Sequence, residues 1–495
     1  MGLQIVRETF EPEEYERFSK RLAESLDVLR EVLARPGFGV GPRTIGAELE
    51  MFLVDSAGFP LPINRQVLGQ TMDPRVTVEI DRFNLECNLR PTPLAGRPFS
   101  AMRAEFESAL AEVRRAAATQ GARVAVTGIL PTLREADLGT SALTAMPRYR
   151  ALSTSIRRQR QDTPFRILIK GEDALTLEWD DVSLEGANTS LQYHLRVDPV
   201  DFARMYNAAQ LATAPVLAVS SNSPFLLGRR LWDETRVALF RQAVDDRGEP
   251  EPGVPQHGRV TFGHGWVREG PLELFAEAVA LHAPLLPVLS PESPRARMAE
   301  GGLPKLDELR LHQGTVWSWN RAIYDPSAGG HVRIELRALP AGPTVVDMLA
   351  NGALLLGLTL GLSEQVESLL PGLPFMCARG NFLRAAKEGL DAVLLWPERH
   401  APSPRPIPAV ELVERLLPVA REGLVKAGVE SEEADAMLSV VEARLRARTT
   451  GARWQRKMLA RLEAQLPRLD ALGALLERYM AHAASGRPVH EWPLD

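Results

Sequence analysis

Three segments far apart in the chain set carboxylates into apolar, β-prone surroundings. They are Gly46-Ala47-Glu48-Leu49-Glu50-Met51, Val78-Glu79-Ile80-Asp81-Arg82-Phe83-Asn84-Leu85-Glu86-Cys87-Asn88 and Arg333-Ile334-Glu335-Leu336-Arg337. Alternate residues of a strand share a face, so Glu48 and Glu50 stand roughly 6.5–7 Å apart on one side. Carboxylates gathered on a half-buried face repel one another and lose hydration, and something positive must offset that cost. Mg2+, a hard cation that takes oxygen ligands and bridges them to nucleotide phosphates, is the natural counterpart. Glu48, Glu50, Glu86 and Glu335 are the candidate metal ligands, with Glu79 and Asp81 as further members. On a regular strand Glu79 and Asp81 would face away from Glu86 and Asn88, unless a bulge or turn near Arg82–Asn84 resets the parity.

Two more rows of polar side chains lie on strand-like runs. Arg333, Glu335 and Arg337 share a face, a carboxylate between two guanidiniums, and Arg337 has the geometry to clamp a phosphate or carboxylate with two hydrogen bonds. In Ser190-Leu191-Gln192-Tyr193-His194-Leu195-Arg196 the even members line one face with hydrogen-bonding groups, while Leu191 and Leu195 are apolar. Such a face suits a ligand surface, with His194 available to a phosphate, a metal or an adenine ring. Trp317-Ser318-Trp319-Asn320-Arg321 is either an amino-acid or nucleotide pocket or aromatic packing at a strand end. The basic residues Arg157, Arg158, Arg160, Arg166 and Lys170 read as a phosphate-receiving loop or a solvated charge run. Thr449-Thr450-Gly451-Ala452-Arg453-Trp454-Gln455 reads as a closing segment or a helix cap. No Gly-x-x-x-x-Gly-Lys-Ser/Thr loop, His-Glu-x-x-His or Gly-x-Ser-x-Gly elbow occurs.

The elements needed to position these groups follow from spacing. Helical periodicity covers Pro12–Ala34 and Phe99–Gln120, and strands are expected at Thr44–Val54, Thr77–Leu89, Arg123–Gly128, Leu191–Val197, Thr315–Arg321 and His331–Leu336. Phe165–Lys170 and Leu175–Trp179 read as a hairpin. Val200–Ala214 and Leu272–Leu286 read as helices, and Val216–Ser220 as an apolar strand-like run. Leu133–Asp162 reads as a loop with helical pieces, and Arg247–His257 and Pro291–Pro304 as loops. From Val345 onward the chain is mostly helical, through Ala409–Leu417, Glu432–Thr449 and Ala452–Tyr479. Strands without a regular βα rhythm argue an α+β fold with a mainly antiparallel sheet. The expected division is an N-terminal helical segment over residues 1–40, a catalytic sheet domain over 41–345 and a helical part over 346–495.

Bulk composition narrows the function. The chain has 495 residues, 45% hydrophobic and 24% charged, and a net charge of -5, which speaks against nucleic acid as a partner. Its two cysteines, Cys87 and Cys377, form neither a disulfide framework nor a zinc site. No secretory pattern opens the chain, and Val345–Leu362, interrupted by Asp347 and Asn351, reads as a buried helix and not a membrane span. A cytoplasmic protein without a membrane partner is expected.

Taken in order, Gly46-Ala47-Glu48-Leu49-Glu50-Met51-Phe52-Leu53-Val54-Asp55, the strand around Glu86, Thr189-Ser190-Leu191-Gln192-Tyr193-His194, Trp319-Asn320-Arg321 and Arg333-Ile334-Glu335-Leu336-Arg337 with Leu339-Pro340-Ala341-Gly342-Pro343-Thr344 resemble the type-2 glutamate–cysteine ligase family, which also covers bacterial carboxylate–amine ligases. The resemblance implies a glutamine-synthetase-like fold with a curved antiparallel sheet as the active-site floor. It implies ATP, Mg2+, activation of a γ-carboxylate as an acyl phosphate, and attack by an amine. Carried over by position, Glu48, Glu50, Glu86 and Glu335 match metal-binding carboxylates. Arg337 matches a phosphate-contacting arginine, with Glu335 and Arg333 beside it at the catalytic centre. Gln192, His194 and Arg196 fall on the nucleotide side, and Asn88, Trp319, Asn320 and Arg321 are the candidates for substrate. The acceptor amine is not specified, and His194 stands where plant-type enzymes have Asn. The partners implied are small molecules, a glutamate-like carboxylate and an amine, in a chain free to form a homo-oligomer. A lid is expected, from Leu133–Asp162 or Arg247–His257. Two other readings are a phosphotransferase on the same fold and a non-catalytic nucleotide-binding protein.

Overall fold

The computed structural model describes residues 3, 5–248, 256–398 and 403–494. Its centre is an eight-stranded sheet: β1 (Thr44–Val54), β2 (Val76–Val78), β3 (Asn84–Asn88), β4 (Thr92–Pro93), β5 (Arg123–Ala125), β6 (Ser190–Val197), β7 (Asn320–Asp325) and β8 (His331–Pro340). The order is β7-β8-β6-β1-β3-β2, with β4 and β5 pairing onto the two ends of β1. Every pairing in it is antiparallel. The α+β expectation holds, and β1 has the expected limits.

Alternation divides the two faces. Ile45, Ala47, Leu49 and Met51, Leu85 and Cys87, Leu191, Tyr193 and Leu195, and Ile334 and Leu336 are all buried. Against this apolar face lie two helices that are apolar nearly all round, α4 (Phe202–Ser220) and α5 (Val345–Ser363). Polar groups on this side bond to the helices packed against it. Asn320 donates to Gln210 Oε1 and Thr213 Oγ1 of α4, Tyr206 donates to the Asn320 carbonyl, and the Tyr193 hydroxyl donates to Met348 O of α5. A Cβ at residue 352 would lie 2.2 Å from the Tyr193 ring, so only glycine lets α5 approach this closely. Val345–Ser363 is long and apolar enough to cross a membrane, but 89% of its apolar window is buried inside the protein. That agrees with the buried-helix reading.

Helix α2 (Pro98–Thr119) packs against α5 on the apolar side, α1 (Pro12–Leu33) packs against the Pro271–Leu281 and Asp307–Gln313 helices, and α3 (Pro147–Gln159) overlies the polar face.

The structure corrects several expected elements. Thr77–Leu89 is not one strand but a hairpin, β2 pairing with β3 through Val76↔Cys87, Thr77↔Glu86 and Val78↔Leu85. Val216–Ser220 continues α4, because a short apolar run suits a helix buried all round as well as a strand. Ala452–Tyr479 breaks at Pro467 into Gly451–Glu463 and Arg468–Ala484. Leu272–Leu286 stops at Leu281, before Pro284, and Pro291–Pro304 contains the short helix Pro294–Ala299. Of the expected loop Arg247–His257, residues 249–255 lie outside the described residues.

A buried ion pair is among the contacts that tie the C-terminal helices to the core. Arg444, from the Ser431–Ala447 helix, reaches Asp347 Oδ1 of α5 at 2.8 Å and also donates to Asn351 Oδ1 and Val219 O. The other Asp347 oxygen accepts from Val489 N and the Thr344 hydroxyl. Both charges are fully buried, so removing one strands the other. Arg444→Ala should cost about 3–5 kcal/mol in denaturant unfolding. The double change Arg444→Met with Asp347→Leu should recover much of it, and a single variant as stable as wild type would show the pair to be ornamental.

Candidate functional site

The strand registers gather the predicted carboxylates. Glu50 pairs across from Glu86 and Glu48 from Asn88, Glu48 is opposite Gln192, Glu335 is opposite His194, and Arg321 is opposite Glu335. Directly opposed residues point to the same side. Glu48, Glu50, Glu86, Asn88, Gln192, His194, Arg321, Arg333, Glu335 and Arg337 therefore share the face away from α4 and α5. The β2–β3 turn supplies the parity reset that the sequence left open. It brings Glu79 round beside Glu86, and their carboxyls hydrogen-bond. Asp81 is not brought in. It is fully buried against Gly186 with neither carboxyl oxygen partnered, and burial, before the charges of Glu185 and Asp181, holds it protonated well above the usual range.

The face has a base-rich half and a base-poor half. In the first, Glu335 accepts from Arg321 Nε at 2.8 Å and Arg337 Nη1 at 3.0 Å. Burial pushes the Glu335 carboxyl up, but the two guanidiniums pull harder and hold it well below the carboxylate range. Glu48 lies 2.9 Å from His194 Nε2 and is likewise held down, the imidazole outweighing burial. Arg333 Nε lies 3.1 Å from His194 Nδ1, and His194 turns Nε2 to Glu48. The ligating atoms of Glu48, His194 and Glu335 lie within 4.8 Å of one another, the span of a single ion. Two hard oxygen donors fit a divalent cation. Ligation through Nε2 would require Arg333 to release Nδ1 to a proton.

In the base-poor half, Glu50 accepts from Ser190 N at 2.6 Å and the Gln192 amide at 3.1 Å. Glu86 has the Asn88 amide and Glu79. Burial, then the charge of Glu79, pushes Glu50 up to about 7. Burial followed by Glu48, Glu79 and Glu50 raises Glu86 well above its ordinary value. No guanidinium hydrogen-bonds Glu50, Glu79 or Glu86 among the described residues, so this cluster gathers more carboxylate than neighbouring positive charge offsets.

Residues that sequence spacing did not single out complete the site. Glu185, from the loop before β6, is raised well above the carboxylate range by burial and then by Glu79 and Glu50. No strand parity announces it, because it reaches the face from a loop. On α3, which caps this side, Tyr149 donates to Val78 O, and Arg148 acts on Glu79. Part of Leu133–Asp162 is thus an ordered helix over the carboxylates. Arg148, Gln313, Arg321 and Arg333 line a cavity of about 240 Å3 beside Glu335.

Three candidates lie elsewhere. Arg196 turns to the carbonyls of Gly39 and Val40. Asn320 faces α4, on the apolar side. Trp319 packs against Phe240 and Phe382. The basic residues of 157–170 are spread out, Arg157 toward Asp162, Arg160 to backbone carbonyls and Arg166 toward Glu178. In the C-terminal motif, Thr450 caps the helix that follows and Gln455 donates to Asn222, a structural role.

Residues 44–268 match the family model for glutamate-cysteine ligase family 2. The match opens on the first residue of β1 and takes in Glu48, Glu50, Glu86 and His194. It ends before β7 and β8, and the sheet pairing brings Glu335 and Arg337 beside the glutamates of the matched segment. The fold is similar to the crystal structure of glutamate–cysteine ligase from Francisella tularensis in complex with AMP, with TM-score 0.51 and 12% identity over 92% of this chain and 91% of that one. A bifunctional glutathione synthetase from Pasteurella multocida aligns with TM-score 0.46 and 11% identity, over 95% of this chain and 55% of that one. No curated protein matches the sequence.

The raised carboxyls make stability depend on pH and cation together. Folded Glu50 keeps its proton to about pH 7, whereas the unfolded chain releases it near 4.5. The stability it contributes is therefore complete below the lower value and is lost as pH rises through the upper one. Metal-stripped protein should melt at lower temperature near pH 8 than near pH 5.5, by a smaller margin in Glu50→Gln, and Mg2+ should raise the melting temperature more at the higher pH. A Mg2+ effect that is absent, or equal at both pH values, would remove the cation from this cluster.

Proposed function

We propose that this protein is an ATP- and Mg2+-dependent carboxylate–amine ligase of the glutamate–cysteine ligase kind, forming a γ-glutamyl amide through an acyl phosphate. The observation that carries the proposal is the divided polar face: a carboxylate cluster short of positive charge directly beside a row of guanidiniums. Polyphosphate transfer needs that combination, with cations for the phosphate oxygens and arginines for the charge that develops between donor and acceptor. The family match over 44–268 supports it.

Glu48 and Glu335 would hold one divalent ion beside His194, and Glu50, Glu79 and Glu86 a second. Such ions, when bound, neutralise phosphate charge and orient the γ-phosphoryl group. The chain's own contributions follow from the contacts. Arg337, steadied by Glu335 and Gln192, presents its remaining N–H groups over the face. Arg321 and Arg333 line the cavity beside Glu335 and meet anionic oxygens there. A substrate carboxylate oxygen attacks the γ-phosphorus and ADP leaves. The amine nitrogen then attacks the acyl carbon, and phosphate departs with the C–O electron pair as the nitrogen loses a proton. Helix α3, lying over the face, excludes water that would otherwise hydrolyse the acyl phosphate.

The test is ADP release coupled to product identification by mass spectrometry, with glutamate and a panel of amines that includes cysteine. Wild type should release ADP only when both substrates are present and should yield an amide. Glu50→Gln and Glu335→Gln should each lose about 100-fold or more in turnover while melting cooperatively. Full activity in either variant refutes the assignment, and a phosphorylated product without amide makes the protein a phosphotransferase.

A further inference from the structure

We infer that a second pocket, walled by the Thr235–Ala243 and Phe375–Glu388 helices, binds a small phosphate monoester whose planar or apolar part lies against an aromatic floor. The inference does not depend on the ligase reading. The pocket has a volume of about 360 Å3 and shares no lining residue with the cavity beside Glu335.

Its rim is cationic. Arg241, Arg247 and Arg379 line it together with His257 and His264, whose rings meet edge to face at 4.5 Å. Among the described residues Asp245 is taken up by Arg247 at 2.7 Å, and neither Arg241 nor Arg379 has a hydrogen-bond or ion-pair partner. Three guanidiniums around one cavity repel each other. Partial desolvation, then the charges of Arg247 and Arg379, holds Arg241 below its ordinary value. Burial, then His257 and Arg379, lowers His264. A dianion would relieve that repulsion, and guanidiniums approaching from several directions match the three oxygens of a phosphate monoester better than a planar carboxylate.

The floor supplies a second, independent sign. Phe262, Phe382 and Trp319 form it, and Trp319 is 2% exposed with its indole N–H buried and without an acceptor. A buried orphan donor in the wall of a cavity is an unmet demand for an acceptor, which a bound oxyanion or heterocycle meets. Trp319, a candidate for ligand contact on sequence grounds, thus faces this pocket and not the carboxylates.

The experiment is calorimetric titration of the full chain, with a chelator present, against inorganic phosphate, phenyl phosphate and succinate. Phenyl phosphate should bind at millimolar concentration or below, more tightly than phosphate and at least about tenfold more tightly than succinate. Arg241→Ala/Arg379→Ala should weaken it by about tenfold or more with an unchanged melting temperature, since both side chains reach solvent, while Glu335→Gln should bind as wild type does. No heat with any probe, equal affinity in the double variant, preference for succinate, or loss of binding in Glu335→Gln would each overturn the inference.

Discussion

The organising constraint in this protein is the placement of more carboxylate than local positive charge can match on one partly desolvated sheet face. Glu335 is answered by Arg321 and Arg337 and Glu48 by His194, but Glu50, Glu79, Glu86 and Glu185 answer chiefly to one another. A fold does not hold such a cluster for its own stability, because each member left ionised repels the rest and each member protonated reflects lost hydration. The imbalance is intelligible if the face meets cations and phosphates, whose charges exceed those of any side chain.

Holding that imbalance requires a backbone that does not give way, and the opposite face provides it. The same strands that present Glu48, Glu50 and Glu335 on one side bury Leu49, Met51, Ile334 and Leu336 on the other. Slipping a strand by one residue would bury carboxylates under α4 and α5 and expose leucines, so register is strongly specified. Tyr193 seated on Gly352 and Asn320 bonded into α4 show how little slack the apolar side has. Function on the polar face and close packing on the apolar face are two consequences of one alternation.

Much of this was legible from residue types and spacing. The Glu48/Glu50 pair, the polar row of Gln192 and His194, and the Arg333-Glu335-Arg337 row each follow from a period of two, which needs no tertiary information. What escaped was everything that depends on where the chain turns back. Glu79 joins Glu86 because the five residues between β2 and β3, of which it is the first, reverse direction. Glu185 and Arg148 reach the face from a loop and from a helix laid across it. Asn320 and Trp319 were grouped with Arg321 by adjacency, yet a bend after Trp317–Ser318 and the alternation of β7 send them to other surroundings.

By itself the sequence determined which side chains must sit together along each strand, since alternation is a local property of extended backbone. It also determined the fold class and the kind of chemistry such acids and guanidiniums can perform. Only the tertiary structure decided which strands lie side by side, and so which carboxylates meet arginines and which are left to each other. Those neighbours are chosen by long-range pairing and helix packing, whose energies depend on residues far apart in the chain.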